Sequence, residues 1–200
     1  MRFGLLALVL TAAFAFAQSA YDRGYESIRR GDRQEGIRQF SIAIKEDPKN
    51  AVAYLARGSA YYSLGDTSKA IADWTQAIKI DPNYADAYFN RGLAYNNSGD
   101  YSKAISDYTQ AIRIDPSLAD AYTNRASAYY NLGDKSKAIA DYSQAIKIDP
   151  NYADAYVNRA SVYLEVGSYE KAVQDAKKAC ELDECRLLND LQAMEQMEAD

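Results

Sequence analysis

The sequence predicts an all-α protein made of repeated helical hairpins, and three observations predict it. Ala85–Leu118 matches Ala119–Tyr152 at 23 of 34 positions. Pro48, Pro82, Pro116 and Pro150 recur at steps of 34, as do Gly31, Gly65, Gly99, Gly133 and Gly167. Within one period the apolar residues fall on helical faces, as Tyr122, Ala126 and Tyr129 do at steps of four and three. A fixed period of this size marks one supersecondary unit that buries its apolar face by stacking on the next. The phase gives five units, 18–50, 51–84, 85–118, 119–152 and 153–186, followed by 187–200.

Each unit reads as two helices. In the fourth, the first helix stops at Asn131-Leu132-Gly133, where glycine can take the left-handed conformation that closes a C-terminus. Asp134 stands where an N-cap is needed. The second helix turns Ala138, Ile139, Tyr142, Ala145 and Ile146 inward. It ends at Asp149-Pro150, because the residue before proline is pushed out of the α region. Small residues recur at Gly58, Gly92, Ala126 and Ala160, and at Ala70, Ala104, Ala138 and Ala172, marking close helix contacts. Tyr61, Tyr95, Tyr129 and Tyr163, with Trp74, Tyr108 and Tyr142, are the large residues that fill the grooves opposite them.

Period 34 carries an aromatic at position 4, a small residue at 8, tyrosine at 11, alanine at 20, an aromatic at 24, alanine at 27 and proline at 32. This pattern resembles the tetratricopeptide repeat (TPR) family from Ser19 to about Arg186. The resemblance implies a right-handed solenoid of about five helix-turn-helix repeats with a C-terminal capping helix. One departure is systematic. The family's usual leucine at position 7 is here Arg57, Arg91, Arg125 and Arg159, each with an aspartate sixteen residues on, at Asp73, Asp107, Asp141 and Asp175. The spacing predicts ion pairs that link the two helices of a unit or adjacent units.

The chain opens with MRFGLLALVLTAAFAFA, which has one cation, an apolar run and small residues flanking Phe16. That is the pattern of a secretory signal peptide over 1–17, and the run is shorter than the roughly 18 residues of a membrane anchor. The mature chain is thus expected to be exported, periplasmic or secreted, with no membrane insertion after cleavage. The formal net charge of −5 argues against nucleic acid, which requires a basic stripe. In the first unit, Asp32 and Glu35 have capping-box spacing. In the fifth, Glu184 replaces proline, so the chain is expected to run on, with Leu187, Leu188, Leu191 and Met194 as an apolar stripe that either caps the last repeat or binds a partner. Cys180 and Cys185 can bridge only if the chain turns at Leu182-Asp183; on one continuous helix they lie on different faces.

There is no histidine, nucleophile elbow, phosphate loop or cysteine cluster, so no enzyme and no cofactor or metal is expected. Stacked hairpins offer a long concave surface lined by first helices. The resemblance implies that positions 2, 5, 6, 9, 12 and 13 face that groove. Position 6 is Asn90, Asn124 and Asn158, with Ala56 in the second unit. A carboxamide both donates and accepts, so such a ladder can hold a peptide backbone irrespective of sequence. It is similar to the asparagine ladder of the O-linked GlcNAc transferase repeats. The alternative is that these side chains bond within their own repeats. Position 5 adds Leu55, Phe89, Thr123 and Val157, and position 12 adds Tyr62 and Tyr130 as aromatic anchors. Asp86, Asp120 and Asp154 at position 2 complement the helix dipole or contact ligand. The lysines and arginines of a TPR carboxylate clamp are missing from positions 5 and 9. The expected function is binding of a peptide or partner protein, a neutral or basic segment being favoured, in envelope assembly or recruitment; the alternative is a structural homo-oligomer.

Overall fold

The computed structural model describes residues 19–199, and the expected leader at 1–17 lies outside them. The described residues form eleven α-helices: α1 (Ala20–Arg29), α2 (Arg33–Glu46), α3 (Ala51–Ser63), α4 (Thr67–Ile80), α5 (Ala85–Asn97), α6 (Tyr101–Ile114), α7 (Ala119–Asn131), α8 (Lys135–Ile148), α9 (Ala153–Glu165), α10 (Tyr169–Cys180) and α11 (Arg186–Ala199). The turn inside each hairpin has one chemistry. Gly133 sits at φ +82°, open to glycine at no steric cost, and the Asp134 carboxylate then accepts the Lys137 backbone N–H to start α8. Asp66 and Asp100 cap α4 and α6 in the same way. At the other end Asp149 is extended (φ −124°, ψ 98°), as the following proline requires.

The helices group into two compact units, 19–87 and 88–199. In the first, α1 pairs with α2 and α3 with α4, and α1 also touches α3. Ala20, Ala43, Ile44 and Ala53 join the repeats, supported by Tyr21, Ile42 and Tyr54. Phe40 and Trp74 are fully buried, each worth about 1.5–3 kcal/mol relative to exposure. In the second unit, Tyr108 with Ala104 and Ala128, and Tyr142 with Ala126, Ala138 and Val162, play the same part. Burial raises the Tyr142 phenol to about 12. The alternation of small and large residues has a direct geometric cause. A methyl group on Gly58 would lie 2.7 Å from the Trp74 indole nitrogen, and one on Gly92 would lie 3.0 Å from the Tyr108 ring. The Trp74 N–H also donates to the Leu55 carbonyl, which ties the indole to α3.

The position-7 arginines are clips. Arg57 donates from Nε and Nη2 to both oxygens of Asp73, each at 2.7 Å, so α3 and α4 are joined by a bidentate fork. Arg91–Asp107, Arg125–Asp141 and Arg159–Asp175 repeat it at 2.7–2.9 Å. The four aspartates are only 5–8% exposed, and the hydrogen bond that the Arg57 guanidinium donates to Asp73 raises it above its ordinary pKa. Arg57 Nη1 reaches back to Ser41 Oγ on α2, as Arg125 does to Thr109 and Arg159 to Ser143. Each hydroxyl donates to the carbonyl four residues before it, which aims its lone pairs at the arginine. One guanidinium therefore joins three helices of two successive repeats. Tyr54 and Tyr61 lie under the Arg57 guanidinium at 5.6 and 5.9 Å, in cation–π range. In the first repeat the clip is weaker, with Arg23 donating to the neutral Gln39.

Three expectations are corrected at the chain's ends. Glu35 does not close a capping box; Asp32 accepts the Glu35 N–H, but the Glu35 carboxylate turns to Arg38 and Gln39. The chain does not run on through Glu184. Helix α10 stops at Cys180, and Asp183 takes φ +72°. That turn lets Cys180 and Cys185 meet as a disulfide. Helix α11 then packs on α10, burying Leu191 beside Leu188, Tyr169 and Val173, whereas Met194 of the predicted stripe is exposed.

Three predictions follow from this packing. Gly58→Ala should destabilise by about 1–3 kcal/mol, because the buried indole cannot yield without strain; urea unfolding beside Ala60→Gly as a control checks it. Arg125→Ala should cost about 3–5 kcal/mol by stranding the Asp141 carboxylate, and Arg125→Met with Asp141→Leu should recover most of that. Lastly, Lys69, Lys103 and Lys137 hold the cap carboxylates of Asp66, Asp100 and Asp134 below their ordinary values, and Arg38 then Gln39 hold Glu35 at about 2. Groups depressed by folding stabilise above their unfolded pKa and lose that contribution as pH falls through the folded value. With no histidine to titrate, the melting temperature should be flat from about pH 6 to 8 and should fall below about pH 4.5. Circular-dichroism melts across that range read it directly.

Candidate peptide-binding face

The first helices of successive repeats touch within each unit, α1 with α3 and α7 with α9. Their faces away from the second helices are where a ligand can lie, and the predicted residues divide there into two groups. The position-6 asparagines are accessible: Asn158 is exposed, and Asn90 and Asn124 are half-buried. Asn124 Nδ2 donates to the Asp120 carbonyl on its own helix at 2.8 Å, which leaves its carboxamide oxygen as an acceptor. Asn90 and Asn158 form no side-chain hydrogen bond among the described residues. The three side chains thus share one register in the unit 88–199, each with polar capacity not consumed by the fold.

The position-5 and position-12 residues are more deeply engaged in packing. Phe89 lies 5.9 Å from the Tyr108 ring, Tyr62 lies 5.6 Å from Trp74, and Thr123 is buried. Leu55 and Val157 are half-buried. Tyr130 packs on the Ala126–Tyr142 cluster and sends its hydroxyl to the Glu165 carboxylate on α9. Lys135 Nζ meets the same carboxylate at 2.9 Å. Tyr130 first and Lys135 second hold the Glu165 carboxyl below its ordinary range. At position 2, Asp120 accepts a hydrogen bond from the Tyr152 hydroxyl, so besides sitting in a first helical turn it links two repeats.

The unit 19–87 contains a cleft between its two first helices, α1 and α3. It encloses about 280 Å³ between Tyr25 and Ile28 of α1, Phe40 of α2 and Ala56, Ser59 and Ala60 of α3. Arg33 and Ser63 also line it. It falls where Ala56 interrupts the asparagine series. Sequence reasoning missed the cleft, since it arises from the absence of large side chains at three separated positions. It also missed Glu165, whose signal was its departure from Ser63 and Asn131 at the same place in other repeats.

Models of the tetratricopeptide repeat match residues 85–118, 119–152 and 142–174, and a TPR repeat model matches 58–99. No curated protein sequence matches the chain. A crystal structure of MamA is 30% identical, with a TM-score of 0.77 over 80% of this chain and 94% of that one. MamA 41-end from Desulfovibrio magneticus RS-1, at 20% identity, has a TM-score of 0.77 over 84% of this chain and 94% of its own. YrrB, described as a TPR protein with an unusual peptide-binding site, is 18% identical, with a TM-score of 0.74 over 88% of this chain and 90% of its own. The repeat period, the paired helices and these matches together give an all-α TPR-type solenoid fold. The chain belongs to the tetratricopeptide repeat family, whose repeats are protein-interaction modules and generally not enzymes.

Proposed function

We propose that the mature chain is an exported module that binds an extended peptide segment of a partner protein along its first helices, with the Asn90, Asn124 and Asn158 carboxamides holding the peptide backbone. The observation that carries this reading is the common register of these three side chains, with Asn158 exposed and Asn124 bonded only through its nitrogen. Export rests on the sequence of the leader. YrrB supports the choice of ligand, since a peptide-binding site is described for a protein of this fold. Around the asparagines stand Asp86, Asp120, Asp154 and Glu165, so a neutral or basic segment suits this stretch. Envelope assembly or recruitment is the corresponding role.

End-to-end homo-oligomerisation is less well supported. Helix α11 covers one side of the last hairpin. In addition, the hydroxyl at Ser41, Thr109 and Ser143 that receives the next repeat's arginine is replaced by Lys177 in the last repeat. A cation there would repel the arginine of an added repeat.

The test is selection of linear peptides from a displayed library on residues 18–200, with fluorescence anisotropy of the enriched peptides. Asn90→Ala, Asn124→Ala and Asn158→Ala combined should weaken binding about tenfold or more, at about 1 kcal/mol per lost hydrogen bond, with unchanged helicity. Undiminished binding by the triple variant would remove the ladder, and an absence of enriched peptides with a concentration-dependent oligomer would favour self-assembly.

A further inference from the structure

We infer that the cleft between α1 and α3 is an acceptor site for a partner side chain of one chemistry: a large apolar residue next to a side-chain carboxylate, the carboxylate pairing with Arg33. This deepens the peptide-binding reading and rests on it.

The argument comes from comparing the cleft with its counterpart inside the same molecule. Repeats related by 34 residues place equivalent side chains in equivalent settings. Arg33 corresponds to Lys135, Ile28 to Tyr130 and Ser63 to Glu165. At the later site the repeat junction is closed from within, because Glu165 receives both the Tyr130 hydroxyl and the Lys135 ammonium. At the earlier site the cation is retained and its partner is absent. Arg33 is exposed and forms no ion pair among the described residues, and the nearest equivalent of Glu165 is the short Ser63, whose hydroxyl donates to the Ala60 carbonyl. The aromatic at position 12 has become Ile28, and the carboxamide at position 6 has become Ala56.

These exchanges change both the shape and the chemistry of the junction. Loss of the long side chains opens the 280 Å³ cleft, and Phe40, Ile28, Ala56 and Ala60 make its lining apolar. The volume lies at or below the lower end of small-molecule sites, about 300–1,000 Å³, so one side chain suits it better than a cofactor. Tyr25 is 55% exposed beside it, an unusual placement for a ring and a surface for an apolar side chain to lie against. No carboxylate lines the cleft, so Arg33 is the charge that an incoming group meets. A guanidinium recognises carboxylate geometry by a two-point fork. The group that restores the arrangement seen at Glu165 is therefore a carboxylate supplied from outside. Two neighbouring arginines of this repeat are already paired, Arg29 with Glu26 and Arg38 with Glu35, so the attraction rests on Arg33 itself.

The same display selection tests this, with peptides held internally so that none has a free C-terminus. Enriched sequences should place Asp or Glu within two residues of Leu, Ile, Met, Phe, Tyr or Trp. Ser63→Glu should supply the missing carboxylate from within, as Glu165 does, and weaken those peptides about tenfold while keeping the native melting temperature or raising it. Arg33→Glu should also weaken them, and selection on that variant should shift to Lys or Arg beside the apolar residue. Peptides that bind Ser63→Glu and Arg33→Glu as tightly as the native chain, yet lose the triple asparagine variant, overturn this inference and leave the ladder standing. Loss with Ser63→Glu but not with the triple variant does the reverse. Failure to enrich any peptide, or enrichment only of sequences with free terminal carboxylates in a C-terminal display, overturns the inference.

Discussion

The arginine clip is the constraint on which the rest of the structure depends. A leucine at position 7 would hold neighbouring helices by contact area alone, which tolerates sliding. A guanidinium does not tolerate it, because its fork matches one carboxylate in one orientation. Arg57, Arg125 and Arg159 each spend two donors on the aspartate of their own second helix and a third on a hydroxyl of the repeat before. Buried ion pairs of this kind add little net stability compared with apolar residues of the same shape, and breaking one is expensive. Their contribution here is register. The distance between helices within a repeat and the offset between repeats are set by the same side chain.

With that frame fixed, the small and large residues can trade places without altering it. Trp74 and Tyr108 require Gly58 and Gly92 opposite them, whereas Tyr142 coexists with Ala126. The tyrosines at position 11 serve a different purpose. Tyr61, Tyr95, Tyr129 and Tyr163 lie beneath lysines at 5.1–5.5 Å, covering the edge of the clip while presenting a polar rim to water. The fold thus satisfies its charges internally over most repeats. That makes the first repeat informative, since there Gln39 stands where the others have aspartate and Arg33 stands where Lys135 finds Glu165.

Much of this was legible in the sequence, and the reasons are physical. Periodicity fixes each helix, glycine at Gly133 fixes each turn, and arginine and aspartate sixteen residues apart predict a pair because the hairpin brings those positions together. The hydroxyl series at Ser41, Thr75, Thr109 and Ser143 was equally periodic, but serine and threonine are so common on helix surfaces that nothing marked it as an acceptor. The groove residues were legible only as register positions. Whether a side chain at position 5 points outward or packs inward depends on the size of its neighbours, and Phe89 turned out to lie on Tyr108.

The sequence by itself determined the class of fold, the number of helices per repeat, the places where the helices ahead of the last repeat's second helix stop and the pairing of opposite charges, since all of these follow from local conformation and a repeated spacing. Tertiary structure alone decided which arginine reaches back to which hydroxyl, that the chain turns between Cys180 and Cys185, and that one repeat junction is closed by Glu165 while another is left open beside Arg33. The reason is that each of these depends on side chains distant in the chain arriving within a few ångströms of one another, and on the space left where a large residue has been exchanged for a small one.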